Sequence, residues 1–329
     1  MAAASAPVCR LRLGSGAPEF SQLTAGFALL HARGALRVIY EGVRPFPAGV
    51  YPHSRVAHAV LGEGAVLAYD LAQGYGEFPD PQAFDRQLSD VAYYFKRGCD
   101  RKYHNEMKNR RKVRPLGPPL LVTCAGNFYD AATNLTAEDY MSHNSYPDYK
   151  AHFVAGLFDP ARYPEAMQDG IARVNTLRIE SISACREAFG ERFYGGLLPG
   201  PYARQRAPAL VLPTEEVRGE AYRRRLRENY VCAATAGPLG TLGQEVAQFA
   251  AAGRAIVTTP PQCALPGEFA RGKNYAAFST PEECVAQLRS VLRSRPWIHR
   301  MEAANFSYFC AFVRPQGMVL HTLREAGVL

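Results

Sequence analysis

The chain has 329 residues, of which 47% are hydrophobic and 21% charged, a composition that is ordinary for a globular protein and excludes a largely disordered one. No stretch approaches the roughly 20 consecutive apolar residues of a membrane-spanning helix, and residues 1–20 lack the apolar core of a signal peptide. We therefore expect a cytoplasmic protein with its eight cysteines reduced. The net charge of +8 favours an anionic ligand, which leaves nucleic acid, a membrane surface and a phosphorylated small molecule open.

The first half of the sequence predicts short apolar strands separated by irregular segments. A helical pattern over residues 20–33 precedes the first of them. Four apolar runs predict strands at 36–40, 65–70, 91–95 and 120–124. Because these runs are apolar throughout, they indicate a parallel sheet that is covered on both faces.

The second half predicts a regular alternation of helices and strands. The helical patterns fall at 166–189, 216–228, 244–252, 281–293 and 297–312, and the strands at 193–195, 230–235 and 254–258. Residues 237–243 form a glycine-rich turn between the second of these strands and the helix that follows it. Strand, glycine turn, helix and strand in this order are typical of a nucleotide-binding βαβ unit.

The glycine turn is the most informative block for chemistry. Glycines after a strand allow the backbone to approach a phosphate closely, and the next helix offers free N–H groups to an anion. We predict a donor site from Thr235, Gly237, Gly240 and Gly243, with Glu245 accepting hydrogen bonds from two ribose hydroxyls. The alternative is a plain βαβ unit in which Glu245 only favours the helix dipole.

Motifs around this block resemble a known class of enzymes. Residues 243–258 combine an acid, small residues, Ala-Ala-Gly and a strand, and they resemble the donor half of group-one GT-B glycosyltransferases. The tail continues the similarity at residues 272–283, 301–305 and 314–315. Shorter marks at 69–70, 95–97, 114–117 and 178–190 also resemble a small family of bacterial and algal-virus (chlorovirus-type) sugar transferases, so that the similarity covers roughly residues 65–325.

The resemblance implies an α/β fold of two Rossmann-like lobes with a cleft between them. It makes residues 1–155 the acceptor-side lobe and residues 156–329 the nucleotide-sugar-binding lobe, with the last helix able to cross back. The implied activity transfers a hexose or pentose from a nucleotide sugar to a glycan or small-molecule hydroxyl, with no cofactor besides the donor substrate. The narrower similarity favours a UDP-sugar, with UDP-xylose as one candidate.

The expected stereochemistry follows from the absence of one acidic residue. Retaining members of this class commonly carry a second glutamate, whose position here is Gly237. We therefore expect inversion, with a general base that takes the proton of the acceptor hydroxyl. We predict Asp70, at the end of a buried strand, as that base, and the alternative is that Asp70 only caps the following turn. Three histidines are held in reserve as bases, each with a structural role as its alternative: His53, His58 and His143.

We expect arginine and backbone groups, and no metal, to stabilise the departing diphosphate. The sequence has no D-x-D motif where a metal-dependent transferase carries one. The predicted cation is Arg173 or Arg178, which are five positions apart on the long helix, with the backbone of 240–243 assisting. Since the two arginines lie on different helix faces, only one of them is expected to point into the site.

The basic run 96–114 is the main rival signal. It interleaves cations with aromatic side chains, as nucleic-acid-binding grooves do, but it contains Asp100 and Glu106 and has no recognised binding signature. A solvated face is a second interpretation, and in the transferase interpretation Lys96 and Arg97 line the acceptor cleft. A GT-B-like scaffold without activity is the remaining alternative. The transferase interpretation expects a nucleotide-sugar donor and a glycan or small-molecule acceptor as partners, and no nucleic acid.

Overall fold

The computed structural model describes residues 6–47, 50–51, 54–62, 64–75, 80–129, 133–141 and 150–329. The chain divides into two compact units. Unit 1 comprises Met1–Ala137, Gln262–Glu268 and Phe309–Leu329, and unit 2 comprises Glu138–Pro261 and Phe269–Tyr308. This division lies nearer the N-terminus than the predicted boundary at 155–156, and the last segment of the chain joins unit 1.

Unit 1 is built on a six-stranded sheet. Its strands are β1 (Val8–Leu13), β2 (Arg37–Val43), β3 (Val56–Leu61), β4 (Ala65–Asp70), β5 (Tyr93–Lys96) and β6 (Val113–Pro115), and its first helices are α1 (Phe20–Ala32) and α2 (Pro81–Gln87). The spatial order is β2-β1-β3-β4-β5-β6. Only β3 runs against its neighbours β1 and β4, so the other five strands have their carboxyl ends at one edge.

Unit 2 is built on a five-stranded parallel sheet. Its strands are β7 (Ala151–Ala155), β8 (Phe193–Leu197), β9 (Val231–Ala234), β10 (Ala255–Thr258) and β11 (Tyr275–Ala277). Its helices are α3 (Glu165–Phe189), α4 (Pro201–Arg206), α5 (Gly219–Glu228), α6 (Gln244–Ala251), α7 (Pro281–Leu292) and α8 (Arg295–Tyr308). The spatial order is β11-β10-β9-β7-β8. After α8, the chain returns to unit 1 with α9 (Pro315–Glu325).

Helix α1 is buried on almost every side because it is covered by both the sheet and α9. Its sequence is mostly apolar, and its buried polar residues Ser21, Gln22 and Thr24 are hydrogen-bonded to backbone carbonyl groups. The contact with α9 is close at Gly26, where an added Cβ would stand 2.3 Å from the carbonyl oxygen of Pro315. A glycine is therefore needed at this crossing.

The predicted fold class is confirmed, since both units are α/β with sheets in which parallel pairing dominates. The first half differs from prediction in further details, and strands β1, β3 and β6 were not predicted. Its sheet is mixed, because β3 is antiparallel, and the predicted strand at 120–124 is wrong. Leu120 gives its N–H to the side-chain amide oxygen of Gln22 (3.1 Å) instead of to a strand partner, so side chains of α1 hold this segment.

The tail also differs from the predicted helix at 297–312. Helix α8 ends at Tyr308, a π-helical turn follows at Phe309–Val313, and Pro315 begins α9 at a position where its missing N–H costs nothing. None of the helices in the described ranges has both the length and the apolar character that crossing a bilayer would take.

Candidate functional site

The sheet of unit 2 has a topological switch point at its centre. The chain passes from β7 through α3 to β8 on one side of β7, whereas β9 lies on the other side. The loops that leave β7 and β9 therefore diverge at the carboxyl edge of the sheet. In open α/β sheets this is where ligands bind.

Arg178 of α3 connects these two loops. Its Nη1 donates to the carbonyl oxygen of Gly156 after β7 (2.6 Å), and its Nε donates to Oγ1 of Thr235 after β9 (2.7 Å). The guanidinium also lies 4.8 Å from the ring centroid of Phe158. One turn earlier on α3, Asn175 exchanges two hydrogen bonds with the backbone of Phe158, which fixes the β7 loop against the helix.

The charge of Arg178 is buried without a counter-charge in direct contact. The residue is 5% exposed, and its hydrogen-bond partners are a hydroxyl and a carbonyl, both neutral. Among the described residues, no carboxylate lies within ion-pair distance of it. Burial lowers the pKa of Arg178, and the negative charge of Glu245 opposes this shift. The site can therefore accept an anion next to a positioned cation.

The glycine turn after β9 is tightly folded. Gly237 and Thr241 close it through a backbone hydrogen bond of 2.8 Å, and Gly240 within it has a φ of +66°, which favours glycine. The N–H of Ala236 is bound by the side chain of Thr259 (2.7 Å), at the carboxyl end of β10. The turn thus presents its backbone at the same edge as Arg178.

Gly243 is the N-cap of α6, and no side chain caps that helix end. The carboxylate of Glu245, two residues later, folds back over this glycine, since a Cβ added at Gly243 would stand 2.3 Å from Oε2 of Glu245. Glu245 is half-buried and close enough to Arg178 for their charges to interact. The first amides of a helix have no partner within it, so this end of α6 can bind an anion.

The structure brings together most of the predicted donor-site residues of unit 2. Arg178, Thr235, the glycine turn and Glu245 share one sheet edge, whereas Arg173 lies on the exposed face of α3. Their roles in binding remain predictions. Sequence reasoning missed Phe158, which precedes Asp159-Pro160 in a segment without regular periodicity, and Asn175, which lies within the predicted helix 166–189.

Asp70, the predicted base in unit 1, is fully buried in a closed polar cluster. Its Oδ2 accepts from the hydroxyl of Tyr94 (2.7 Å) and lies 3.2 Å from Nζ of Lys96, and its Oδ1 accepts from the N–H of Ala72 (2.9 Å). Burial lowers the pKa of Lys96, and Asp70 opposes that shift. Both oxygens of Asp70 are thus engaged within the fold.

Of the three histidines held in reserve as bases, His58 lies within the described residues. His58 on β3 contacts the hydroxyl of Tyr51 (Nε2 to Oη, 2.5 Å), and burial lowers its pKa to about 4. The protonated form of His58 is therefore disfavoured at neutral pH. His53 and His143 lie outside the described residues.

Several cations of the basic run 96–114 are bound inside unit 1. Lys96 and Arg97 are buried, the first against Asp70. Lys112 donates to the carbonyl oxygen of Leu88 (2.7 Å), and Arg114 pairs with Glu325 (3.3 Å). These four side chains make contacts within unit 1, whereas the other cations of the run are exposed.

Comparisons with known proteins give a likeness in fold. No protein-family model matches the chain, and no curated protein does. The solved structure of WaaG, a glycosyltransferase involved in lipopolysaccharide biosynthesis, has a TM-score of 0.49 at 10% identity, covering 93% of this chain and 95% of WaaG. Anabaena HepE in complex with UDP-glucose has a TM-score of 0.48 at 10% identity, with 97% and 100% covered.

A third similar structure belongs to another class of enzyme. A protein assigned as a UDP-N-acetylglucosamine 2-epimerase from Listeria monocytogenes has a TM-score of 0.46 at 10% identity, covering 96% of this chain and 94% of that one. Two further structures are longer than this chain, which spans 60% and 48% of their lengths. At such scores and identities, the likeness extends to neither substrate nor reaction.

The titratable side chains of the described ranges offer no obvious metal centre. In that part of the chain, no three His, Cys, Asp or Glu side chains cluster closely enough to hold a metal ion. The eight cysteines are free thiols, and two of them, Cys185 and Cys284, face each other at 3.9 Å in the core of unit 2. The site chemistry available at the edge of unit 2 is thus that of arginine, hydroxyl and backbone groups with one carboxylate.

Proposed function

We propose that the chain is a glycosyltransferase whose unit 2 holds a nucleotide-sugar donor for transfer to a hydroxyl of a glycan or small molecule. The observation that carries the proposal is Arg178, a buried guanidinium held by neutral groups at the switch point of the sheet. A buried charge is unfavourable unless an opposite charge meets it. The diphosphate of a nucleotide sugar is such a charge, and it suits the bidentate geometry of arginine.

The neighbouring elements supply the other contacts that a nucleoside diphosphate requires. The backbone of the glycine turn and the first amides of α6 can donate to phosphate oxygens. Glu245, in the first turn of α6, offers a carboxylate that can accept from two ribose hydroxyls. Phosphate and ribose would thus be bound by consecutive parts of one strand-turn-helix segment.

The finer assignments rest on the sequence. A UDP-sugar is the proposed donor, with UDP-xylose as one candidate. Gly237 stands where retaining members of the resembled class commonly carry a glutamate, which supports inversion. Leaving-group stabilisation by Arg178 supports a reaction without a metal, because the guanidinium can take up the negative charge that grows on the diphosphate.

The role of Asp70 as base remains a proposal, and it requires a local rearrangement of the fold. Both of its oxygens already accept hydrogen bonds, and Lys96 lies against one of them. To reach an acceptor hydroxyl, Asp70 would need this cluster to open. The geometry supports Asp70 more directly as the anchor of a buried ion pair.

Calorimetric titration with UDP, GDP and a panel of UDP-sugars tests the donor site. We expect UDP to bind and Arg178→Gln to weaken its affinity about 100-fold, because the variant loses charged hydrogen bonds worth roughly 2–3 kcal/mol. Arg173→Gln is the matched control, since Arg173 lies on the same helix but is exposed, and we expect its affinity to stay within about threefold of wild type.

The same titrations, with an oligonucleotide added to the panel, can refute the proposal. If no nucleotide or nucleotide sugar binds while an oligonucleotide does, with an affinity that falls steeply with salt, the nucleic-acid alternative replaces the enzyme. If UDP binds equally well to wild type and to Arg178→Gln, the donor site lies elsewhere in the protein. A hexosyl or pentosyl donor would be identified by the UDP-sugar that is turned over.

A further inference from the structure

A pocket of about 180 Å³ lies on the surface of unit 2, at the C-terminal ends of α3 and α7. Cys185 of α3 faces Cys284 of α7 at 3.9 Å. About one turn later, Phe189 of α3 faces Arg289 of α7, so the two helices run side by side in the same direction. Three apolar residues and three arginines line the pocket: Ala188, Phe189, Arg192, Arg289, Leu292 and Arg293.

This pocket and the candidate donor site lie at opposite edges of the sheet. Helix α3 ends at Phe189 and β8 begins at Phe193, so the pocket is next to the amino end of a strand. The candidate donor site is at the carboxyl edge. Arg178 and Phe189 lie on the same helix, separated by about 16 Å along its axis. A ligand in the pocket would therefore leave the donor site free.

The three arginines concentrate positive charge on this small surface. All three are exposed, and Arg293 is the C-cap of α7, four positions after Arg289. Like charges at this spacing repel each other. Among the described residues, no carboxylate lies within ion-pair distance of Arg289 or Arg293. The fold therefore brings these cations together without neutralising them by direct contact.

The helix dipoles account for only part of this arrangement. Each helix C-terminus carries roughly half an elementary negative charge, so the ends of α3 and α7 offset about one of the three positive charges. Glu187 and Glu191 flank the pocket in sequence, but both are exposed and neither lines it. Solvent screens such exposed charges. An anion inside the pocket would contact the guanidinium groups directly and would be attracted to them.

The lining restricts the anion to a particular chemical class. Guanidinium groups bind phosphate oxygens through paired hydrogen bonds, and a phosphate monoester carries nearly two negative charges on three such oxygens. The apolar residues, among them Phe189 with its ring centroid 5.8 Å from the guanidinium of Arg289, can cover an organic group. The pocket is smaller than the roughly 300 Å³ at which pockets for drug-sized ligands begin, so it suits a compact molecule.

We propose that this pocket binds a compact organic phosphate, namely a phosphate monoester on a single ring or a body of similar size. The phosphate contacts Arg192, Arg289 and Arg293, and the organic group lies against Phe189 and Leu292. The site is additional to the donor site of unit 2, and the inference does not depend on the proposed glycosyltransferase function.

Calorimetric titration of the full chain with phenyl phosphate, inorganic phosphate and phenol tests the two requirements separately. We expect phenyl phosphate to bind, inorganic phosphate to bind about tenfold more weakly, and phenol not to bind, because only phenyl phosphate has both the charge and the apolar group. The double variant Arg289→Gln with Arg293→Gln should bind phenyl phosphate about tenfold more weakly or worse. Its melting temperature should stay near that of wild type, because both side chains are exposed.

Two further variants complete the design. Arg204→Gln with Arg206→Gln is the matched control, since it removes the same charge from exposed positions on α4 that do not line the pocket. Its affinity for phenyl phosphate should stay within about twofold of wild type. Phe189→Leu keeps an apolar side chain but removes the ring, so it should weaken phenyl phosphate about threefold and leave inorganic phosphate unchanged.

The outcomes separate this inference from the donor proposal. If wild type and the Arg289 and Arg293 double variant bind phenyl phosphate equally well, the pocket is not its site. If saturating UDP or Arg178→Gln abolishes phenyl phosphate binding, the phosphate enters the donor site and only this inference fails. If phenyl phosphate binds while no nucleotide does, the donor proposal fails and this one stands.

The same variants distinguish a free phosphate ester from a lipid headgroup. Vesicles containing phosphatidic acid present a phosphate monoester on a membrane surface. If the protein binds these vesicles through Arg289 and Arg293 but does not bind phenyl phosphate, the compact ligand is refuted and a lipid headgroup replaces it. Equal affinities for phenyl phosphate and inorganic phosphate would refute the role of the apolar lining.

Discussion

Each unit buries a cation at the carboxyl edge of its sheet, but the two cations are in opposite electrostatic situations. Lys96 in unit 1 is fully buried with Asp70 at 3.2 Å and the carbonyl oxygen of Ala72 at 2.5 Å. Arg178 in unit 2 is buried almost as deeply, but its bonds go to a hydroxyl and a carbonyl. The first charge is neutralised by the fold, whereas the second has no carboxylate within ion-pair distance among the described residues.

This difference separates structural charges from binding charges. A buried ion pair with its hydrogen bonds made is expensive to break and offers nothing to a substrate. A buried cation that only neutral groups hold keeps the capacity to attract an anion. A similar contrast exists within unit 1, where both oxygens of Asp70 are hydrogen-bonded but Oε2 of Glu19 has no hydrogen-bond partner among the described residues.

The largest expected effect comes from breaking the closed pair. Asp70→Asn leaves Lys96 buried beside a neutral amide, and we expect the free energy of unfolding to fall by about 3–5 kcal/mol in urea titrations. The double variant Asp70→Asn with Lys96→Met removes both charges and should recover a large part of that loss. A double variant as unstable as the sum of the two single variants would contradict the coupling.

An exposed pair in the same unit provides the control for that experiment. Arg114 and Glu325 lie 3.3 Å apart, with side chains 32% and 41% exposed. Because solvent screens such pairs, Glu325→Gln should cost no more than about 1 kcal/mol. A loss as large as that of Asp70→Asn would show that burial does not distinguish the two pairs.

The sequence predicted regular elements better than it predicted the state of charges. Apolar runs located the strand at 65–70 and the helix that begins at residue 20, because burial of a whole face leaves a pattern in the sequence. Glycines after a strand located the turn before α6 for the same kind of local reason. Strands β1, β3, β6 and β7 escaped prediction, and so did the antiparallel direction of β3, which depends on partners far along the chain.

Site chemistry was harder to predict, because it depends on contacts between distant residues. Arg178 and Thr235 are 57 positions apart, and Asp70 and Lys96 are 26 apart, yet each pair is in contact. Nothing local to Asp70 in the sequence indicates that Tyr94 and Lys96 occupy its oxygens. A carboxylate at the end of a strand therefore has the same local sequence signature whether it is saturated or available.

Histidines of the two units also differ in their hydrogen bonding, and this difference affects stability at low pH. In unit 1, His58 and His104 each contact a tyrosine hydroxyl, whereas neither ring nitrogen of His152 on β7 has a partner in the described part of the chain. Burial, with Arg225 adding to it, lowers the pKa of His152 to about 3. The unfolded chain therefore binds a proton between pH 6.5 and 3 that the folded chain does not, and stability falls as pH falls through this window.

We expect His152 to lower the free energy of unfolding by about 1.4 kcal/mol for each pH unit below pH 6.5, which amounts to about 2 kcal/mol at pH 5. His152→Phe fits the surrounding aromatic rings of Tyr194 and Phe249 and should flatten the pH dependence of unfolding by that amount. His299→Phe, at an exposed site on α8, is the control and should leave the slope unchanged. Equal slopes for wild type and His152→Phe would contradict the assignment.

The smallest expected effect concerns Gly243, at the N-terminus of α6 in unit 2. Gly243 has a φ of −82°, which alanine adopts without strain, but the added Cβ would occupy the place of the Glu245 carboxylate. The carboxylate is the mobile end of a side chain and can move, so Gly243→Ala should change stability by less than about 1 kcal/mol. Glu245 would no longer lie over the N-terminus of α6, and UDP affinity should fall about tenfold, or roughly 1.4 kcal/mol.

The control for this change is another N-cap glycine of unit 2. Gly200 is the N-cap of α4 with an extended φ of −163°, and an added Cβ there would meet nothing within 4 Å. Calorimetry should find the UDP affinity of Gly200→Ala unchanged. If Gly243→Ala binds UDP as tightly as wild type does, the position of the Glu245 carboxylate is irrelevant to the donor, and Arg178 with the turn backbone must carry the binding at this edge without it.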